Sequence, residues 1–324
     1  MKTMNETHWN VSRETFYLMR KFKIGIALGG GGVRGLAHIG IFRILEKNGI
    51  VPDIIAGTSM GAVVGALYAW KPDAAGLEEK VIGILKSGII DEIGSQFSKA
   101  VPKRPFGRVL SLAKQFFILN RAVVSPAIFS ASYAKKLFAG CGLPEFFSDL
   151  KIPFCAVATD IGHGEEKTFW GGNLQEAVAA SSSIAGIFPP VEIEGSYYLD
   201  GATVNSVPIS PLSNYCDFII ACDVRPERRI IPSFKRGLEV LSRTDAISSY
   251  KLSDIQIQEA DFVIKPKVGG IHWANFKRTS ESISKGAEAC EKALPKLKKR
   301  LLQRKISSFP RRLLSGKCRR PPQE

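Results

Sequence analysis

Ser59 stands at the centre of Gly57-Thr58-Ser59-Met60-Gly61, a G-x-S-x-G run. A short apolar stretch of strand length, Asp53-Ile54-Ile55-Ala56, precedes it, and a small-residue stretch with helical character, residues 62–70, follows before Pro72. Strand, tight turn and helix in that order make a nucleophile elbow, in which the serine hydroxyl is lifted off a sharp bend. Gly57 and Gly61 are the positions where such a bend leaves no room for side chains. The helix N-terminus behind the serine favours the negative charge of a hydroxyl losing its proton. The chemistry suggested is nucleophilic attack on an acyl carbonyl. A bare G-x-S-x-G also fits a plain strand–loop–helix turn packed through its glycines, so the rest of the chain must decide.

A serine nucleophile needs a base, and the oxyanion it creates needs hydrogen-bond donors. Gly29-Gly30-Gly31-Gly32-Val33-Arg34-Gly35 is suited to supply the donors, because amides without side chains can face one point ahead of a helix. Gly30, Gly31 and Gly32 are the candidate oxyanion-hole segment, with Gly31 and Gly32 the leading pair. Arg34 is positioned to fix the loop or to meet a phosphate head group, and Gly35 closes it. The same stretch matches Gly30-x-Gly32-x-x-Gly35, a dinucleotide-binding fingerprint. That reading expects an acidic residue about 20 positions on, at the C-terminal end of the second strand. Asp53 has the spacing but precedes the strand's apolar residues, and Gly57-Thr58-Ser59 occupies the strand's end.

For the base, Asp200 falls where the strand-like Tyr197-Tyr198-Leu199 yields to Gly201. A carboxylate there is placed to take the serine proton and return it to the leaving group. An ordinary aspartate, with a pKa of about 3.9, is a weak base, so the site would have to be partly dry. Asp160 and Asp223 occupy similar strand ends and compete for the role. Of the four histidines, His8 lies in the N-terminal extension, His38 on a helix, His163 in a turn and His272 beside Trp273. The order Ser59, Asp200, His272 is compatible with a hydrolase triad and stays open.

The elements that must hold these residues read as follows. Residues 21–28 form a first core strand, residues 36–46 a helix with apolar positions at helical spacing stopped by Asn48-Gly49, and the elbow strand and helix come next. This is the start of a right-handed parallel α/β fold. Residues 72–150 read as a mainly helical insertion, with Phe97, Phe106, Phe116, Phe117, Phe129, Phe138, Phe146 and Phe147 either packing helices or lining a lid or acyl-chain groove. Further strands are expected at 152–159, 197–199, 218–222 and 262–264, with helices at 174–180, 236–260 and 276–294.

The 324 residues carry a net charge of +15, distributed unevenly. Residues 292–324 hold twelve Lys/Arg against one Glu, leaving about +4 for the rest of the chain. Leu294, Leu297, Leu301 and Leu302 interleave with these cations, so the tail reads either as a basic amphipathic helix on anionic lipid, with Pro295 in its first turn, or as a solvated tail. It lacks the aromatic interleaving of a nucleic-acid binder. Six scattered cysteines without a CxxC pair suggest neither a disulfide framework nor a zinc site. With no apolar leader and no spanning segment, the expectation is a cytoplasmic protein, peripheral at the inner membrane surface if the tail binds lipid.

GGGGVRG, GTSMG and DGA, in this order, resemble the motif set of the patatin-like phospholipase family. The likeness extends through Ile152-Pro153-Phe154, Ala158-Thr159-Asp160, residues 179–190 and Val204-Asn205-Ser206-Val207-Pro208, and covers roughly residues 22–225. The third motif is DGA where DGG is often seen. The resemblance implies a three-layer α/β/α fold with a mainly parallel central sheet. It also implies a Ser59–Asp200 dyad without a catalytic histidine, an oxyanion loop at Gly30–Gly32, lipid acyl esters as substrates, and no metal or cofactor. The expected organisation is an extension at 1–20, a catalytic domain at 21–290 and the basic tail at 291–324. The alternative is a membrane-associated regulatory protein with a secondary or vestigial hydrolase site.

Overall fold

Four five- to seven-residue strands with every residue buried form the middle of the molecule: β1 (Ile24–Leu28), β2 (Ile54–Thr58), β3 (Phe154–Asp160) and β7 (Phe218–Cys222). Strands buried on both faces belong in a parallel sheet covered on both sides. β2, β1 and β7 pair in parallel with one another in that order, β3 joins β2 in parallel, and β8 (Phe262–Ile264) joins β7. The remaining strands, β4 (Glu165–Phe169), β5 (Val191–Ile193) and β6 (Ser196–Asp200), are antiparallel additions beyond β3. The structure is a computed structural model and describes residues 21–86, 127–228, 230–314 and 321–322. The extension at 1–20, Phe97, Phe106, Phe116 and Phe117 lie outside the described residues.

Side chains alternate across the sheet as a pleated strand requires. Ile26, Leu28, Ile55, Phe154, Phe218 and Ile220 pack into the larger core, while Ala27, Ala56, Cys155, Ile219 and Ala221 face a thinner layer built from Val207, Ile209 and Leu212. The larger core is covered by α1 (Ala37–Lys47), α2 (Met60–Trp70), α3 (Ala74–Lys86), α5 (Leu174–Ser182) and α7 (Thr279–Leu314). α4 (Ala131–Gly140) adds a small aromatic cluster, in which Phe129 and Phe138 flank Phe188. α6 (Gly237–Gln256) leads from β7 to β8. The result is the expected three-layer α/β/α arrangement around a mainly parallel sheet.

Two differences from the sequence reading have physical causes. β4 was not expected, because Glu165-Glu166-Lys167 is charged and partly exposed; it is a peripheral hairpin strand held by ladder bonds to β3. The helix expected at 276–294 runs on to Leu314, with Pro295 inside it rather than in its first turn. Leu297 and Leu301 are buried in the main core and Leu294 packs against it. The helix thus runs without a break through residues 290 and 291, with Leu294, Leu297 and Leu301 turned to the core and Leu302 exposed.

Candidate active site

β2 ends at Thr58 and α2 begins at Met60, so Ser59 makes the whole turn. Its backbone is at φ 56°, ψ −127°, a conformation costing of order 1–3 kcal/mol in a residue with a side chain. The surrounding structure holds it there: the Ser59 amide donates to the Ser181 carbonyl at 3.1 Å and meets the Ser181 hydroxyl at 3.0 Å, while its carbonyl accepts from Ala62 and Val63. A methyl group on Gly61 would stand 2.2 Å from the Leu28 carbonyl oxygen, and one on Gly57 would stand 2.5 Å from that of Gly61. The elbow therefore admits only glycine on either side, and Ser59 is 5% exposed.

Asp200 reaches Ser59 through β3. Along one edge of β3, β2 runs parallel and stops with Thr58 opposite Val157; β6 arrives antiparallel and stops with Asp200 opposite Ala158. β4 occupies the other edge over the same residues. Two strand ends thus meet head to head on one edge. The Ser59 hydroxyl donates to Asp200 Oδ2 at 2.5 Å, and the Ala202 amide donates to Oδ1 at 2.9 Å. The Asp200 backbone is fixed on both sides, its amide donating to the Ser183 carbonyl and its carbonyl accepting from the Thr159 hydroxyl, each at 2.9 Å. Burial pushes the Asp200 carboxyl up to about 6, against the opposing pull of the bonds from Ser59 and Ala202. That is the dry setting a carboxylate base requires.

The glycine loop leaves the C-terminal end of β1 beside this pair. Gly30 differs from the expectation: its amide donates to the Ser206 carbonyl at 2.9 Å, tying the loop to the segment after Asp200, so it is not an oxyanion donor in this arrangement. The amides of Gly31 and Gly32 have no acceptor among the described residues. Gly32 lies at φ 57°, and a methyl group there would stand 2.4 Å from the Trp273 carbonyl oxygen. Arg34 holds the loop from within, donating from Nε to the Gly31 carbonyl at 3.2 Å, and the Ser282 hydroxyl of α7 donates to the Arg34 carbonyl.

The competing residues are engaged elsewhere. Bonds from the His163 backbone and ring hold Asp160 below the usual carboxylate range in a tight turn. Burial works to raise the Asp223 carboxyl, but Arg225, with Lys265 beyond it, holds it low. Asp53 accepts from the Ile24 amide at the start of β1 and from Lys21, at the opposite end of the strand from the glycine loop. It is out of place for a ribose contact. His272 is exposed and accepts from the Ala274 amide at 3.3 Å, with no bond to Asp200 among the described residues. His38 is fully buried; its Nε2 bonds the Gly29 carbonyl at 2.8 Å, and burial lowers its pKa to about 4, keeping it neutral behind the loop. Among the described residues no three His, Cys, Asp or Glu side chains are grouped to hold a metal ion.

Ser59 opens onto an apolar cleft between α2, α3 and α4, with Val63, Leu67, Val81, Leu85, Leu137 and Phe138 in its walls. Gly32 and Trp273 stand at the same opening. One wall residue that sequence reasoning missed is Ser182, whose buried hydroxyl has no partner among the described residues. It sits in Ser181-Ser182-Ser183, where nothing in the sequence separates the three; the structure commits Ser181 to the Val157 carbonyl and Ser183 to that of Ala179.

The patatin-like phospholipase family profile matches residues 26–213. The chain belongs to the patatin-like phospholipase family. It is 34% identical over 207 residues to a patatin-like phospholipase domain-containing protein of Caenorhabditis elegans, covering 62% of this chain and 13% of that one. It is 33% identical over 203 residues to the lysophospholipase NTE1 of Pyricularia oryzae, covering 62% and 12%. An uncharacterized NTE family protein of Mycobacterium tuberculosis is 30% identical over 191 residues, covering 59% and 46%. The match thus spans about an eighth of the first two relatives and under half of the third. Among solved structures, VipD from Legionella pneumophila aligns over 86% of this chain and 68% of its own, at 16% identity and a TM-score of 0.44. No described helix is long and apolar enough to cross a membrane.

Proposed function

We propose that this protein is a serine-dependent lipid acyl hydrolase working through a Ser59–Asp200 dyad. The observation that carries the reading is the 2.5 Å hydrogen bond from a strained, buried serine to a carboxylate whose affinity for protons is raised by burial. In the first step Ser59 Oγ attacks the acyl carbonyl as its proton passes to Asp200. The amides of Gly31 and Gly32 receive the oxyanion, in a pocket where preorganised donors are worth most. Asp200 then protonates the departing alcohol, leaving an acyl-serine. Water enters, gives its proton to Asp200 and attacks the acyl carbon; Ser59 recovers its proton as the fatty acid leaves.

The apolar cleft beside Ser59 suits an acyl chain, and the relative named as a lysophospholipase supports phospholipid or lysophospholipid esters as the substrate class. An intact dyad and an unfilled donor pair favour this reading over a vestigial site. Fluorophosphonate labelling followed by peptide mapping tests it: the label is expected on Ser59, absent in Ser59→Ala, and Asp200→Asn is expected to lose hydrolysis of a short-chain nitrophenyl ester. Labelling elsewhere, or most activity retained in either variant, removes the dyad.

A further inference from the structure

β7 ends at the sheet edge that carries the glycine loop and Ser59, because β1, β2 and β7 run parallel. The chain that leaves β7 there does something unusual with its apolar residues. Ile230 is 95% exposed and Leu241 67% exposed, and Ile231, Phe234, Val240 and Ile247 are also open to solvent. Ile230, Ile231, Phe234, Val240 and Ile247 line one shallow depression with Arg228 and Arg243 on its walls. Single exposed apolar residues need no explanation, but a contiguous set does. Residues 228–247 also hold five Lys/Arg against two acidic residues, Glu239 and Asp245, and Arg228 pairs with Asp254. Glu227 and Arg228 border a second depression with Lys267 and Gly269, in the loop that continues to Trp273 and Phe276 at the cleft.

We propose that this patch, residues 228–247, docks the protein on an anionic phospholipid surface, with the active-site edge of the sheet turned toward the lipid. The proposal rests on the lipid-hydrolase reading for its purpose, though not for its test. Exposed Ile, Leu and Phe set among Arg and Lys match an interface whose acyl layer takes apolar side chains and whose head groups carry negative charge. A second copy of the chain is the poorer occupant. A two-fold pairing would set this basic segment against itself, placing like charges together. Of the tail leucines, Leu297 and Leu301 are buried against the core while Leu302 is exposed.

The test uses the full-length chain carrying Ser59→Ala, so that no substrate is consumed, in sedimentation with phosphatidylcholine vesicles with and without phosphatidylglycerol. Binding is expected to the vesicles containing phosphatidylglycerol and to weaken with salt. Adding Ile230→Asp and Leu241→Asp should reduce it at least ten-fold. In the background with Ser59 intact, the same two substitutions should leave hydrolysis of a soluble nitrophenyl ester unchanged, which also establishes folding, and should lower hydrolysis of vesicle lipid. Equal vesicle binding with and without the two substitutions overturns the proposal, as does failure of the Ser59→Ala chain to bind either vesicle. A dimer in light scattering that the two substitutions dissociate assigns the patch to a second copy instead. Absence of soluble-ester hydrolysis in the unsubstituted protein would sink the hydrolase reading while leaving the binding result intact.

Discussion

Thr58 and Asp200 face consecutive residues of β3, Val157 and Ala158, from the same edge. One strand therefore measures the separation of the elbow from the carboxylate, across 141 positions of chain. Because side chains alternate along a strand, a one-residue slip of β6 would turn Asp200 to the opposite face of the sheet. The bonds from Thr159 to the Asp200 carbonyl and from the Asp200 amide to Ser183 oppose such a slip.

The raised Asp200 pKa should set the pH dependence of activity. In the proposed mechanism Asp200 accepts a proton in the first step, so only its ionised form is competent. With the carboxyl pushed up to about 6, kcat/KM is expected to rise ten-fold per pH unit well below 6 and level off above it. A pH–rate profile on a soluble nitrophenyl ester checks this; a limb near 4 would mean the carboxylate is not desolvated in the working enzyme.

Stability should carry the opposite signature. Asp200 binds its proton more tightly folded than unfolded, so its contribution is fully present below pH 3.8 and is lost as pH rises to about 6, a change of about 3 kcal/mol. His38 binds its proton less tightly folded, so its contribution is present above pH 6.5 and lost as pH falls to about 4, again by about 3 kcal/mol. The two oppose each other across nearly the same window. Asp200→Asn should therefore exceed the wild type in stability above pH 6, by up to about 3 kcal/mol, with the excess gone near pH 4. Urea denaturation across pH 4–8 measures it, and a variant less stable than wild type at pH 8 would contradict the desolvation account.

The order of motifs and the elements bearing them were legible because they are local: an apolar strand, a glycine turn, a small-residue helix. By strand-end position Asp200 is only weakly favoured over Asp160 and Asp223, and the motif resemblance singles it out, since what separates the three physically is who their neighbours are. His163 lies in the turn after Asp160 and Arg225 two residues after Asp223, yet sequence gives no hint that either pairs. The commitment of the Gly30 amide to Ser206 was invisible for the same reason, being a contact between residues 176 positions apart. The long α7 was misjudged at Pro295, which ordinarily breaks a helix interior. There, burial of Leu297 and Leu301 against the core holds the helix together.

Gly32 should be the least replaceable position of the loop. Alanine there would hold φ 57° at a cost of about 1 kcal/mol and place its methyl 2.4 Å from the Trp273 carbonyl oxygen, forcing the loop to move. Loss of one oxyanion donor typically lowers kcat by about 10²–10³-fold. Gly32→Ala is expected to fall in that range while retaining slow fluorophosphonate labelling of Ser59. Wild-type kcat in this variant would place the oxyanion elsewhere.

The cleft makes a final prediction about chain length. Its walls beyond Ser59 come from Val81 and Leu85 on α3 and from Leu137 and Phe138 on α4, all apolar, so each added methylene of an acyl chain is removed from water at roughly 0.8 kcal/mol. Wild-type kcat/KM should thus climb along a nitrophenyl ester series from acetate toward longer chains. Leu85 is partly exposed at the cleft wall, and Leu85→Trp adds bulk there without touching Ser59 or Asp200. It is expected to raise KM for long-chain esters at least ten-fold and leave kcat/KM for the acetate within two-fold, because the short acyl group never reaches that wall. A uniform loss across the series would mean the substitution disturbs the dyad instead, and no change at any length would place the acyl chain outside this cleft.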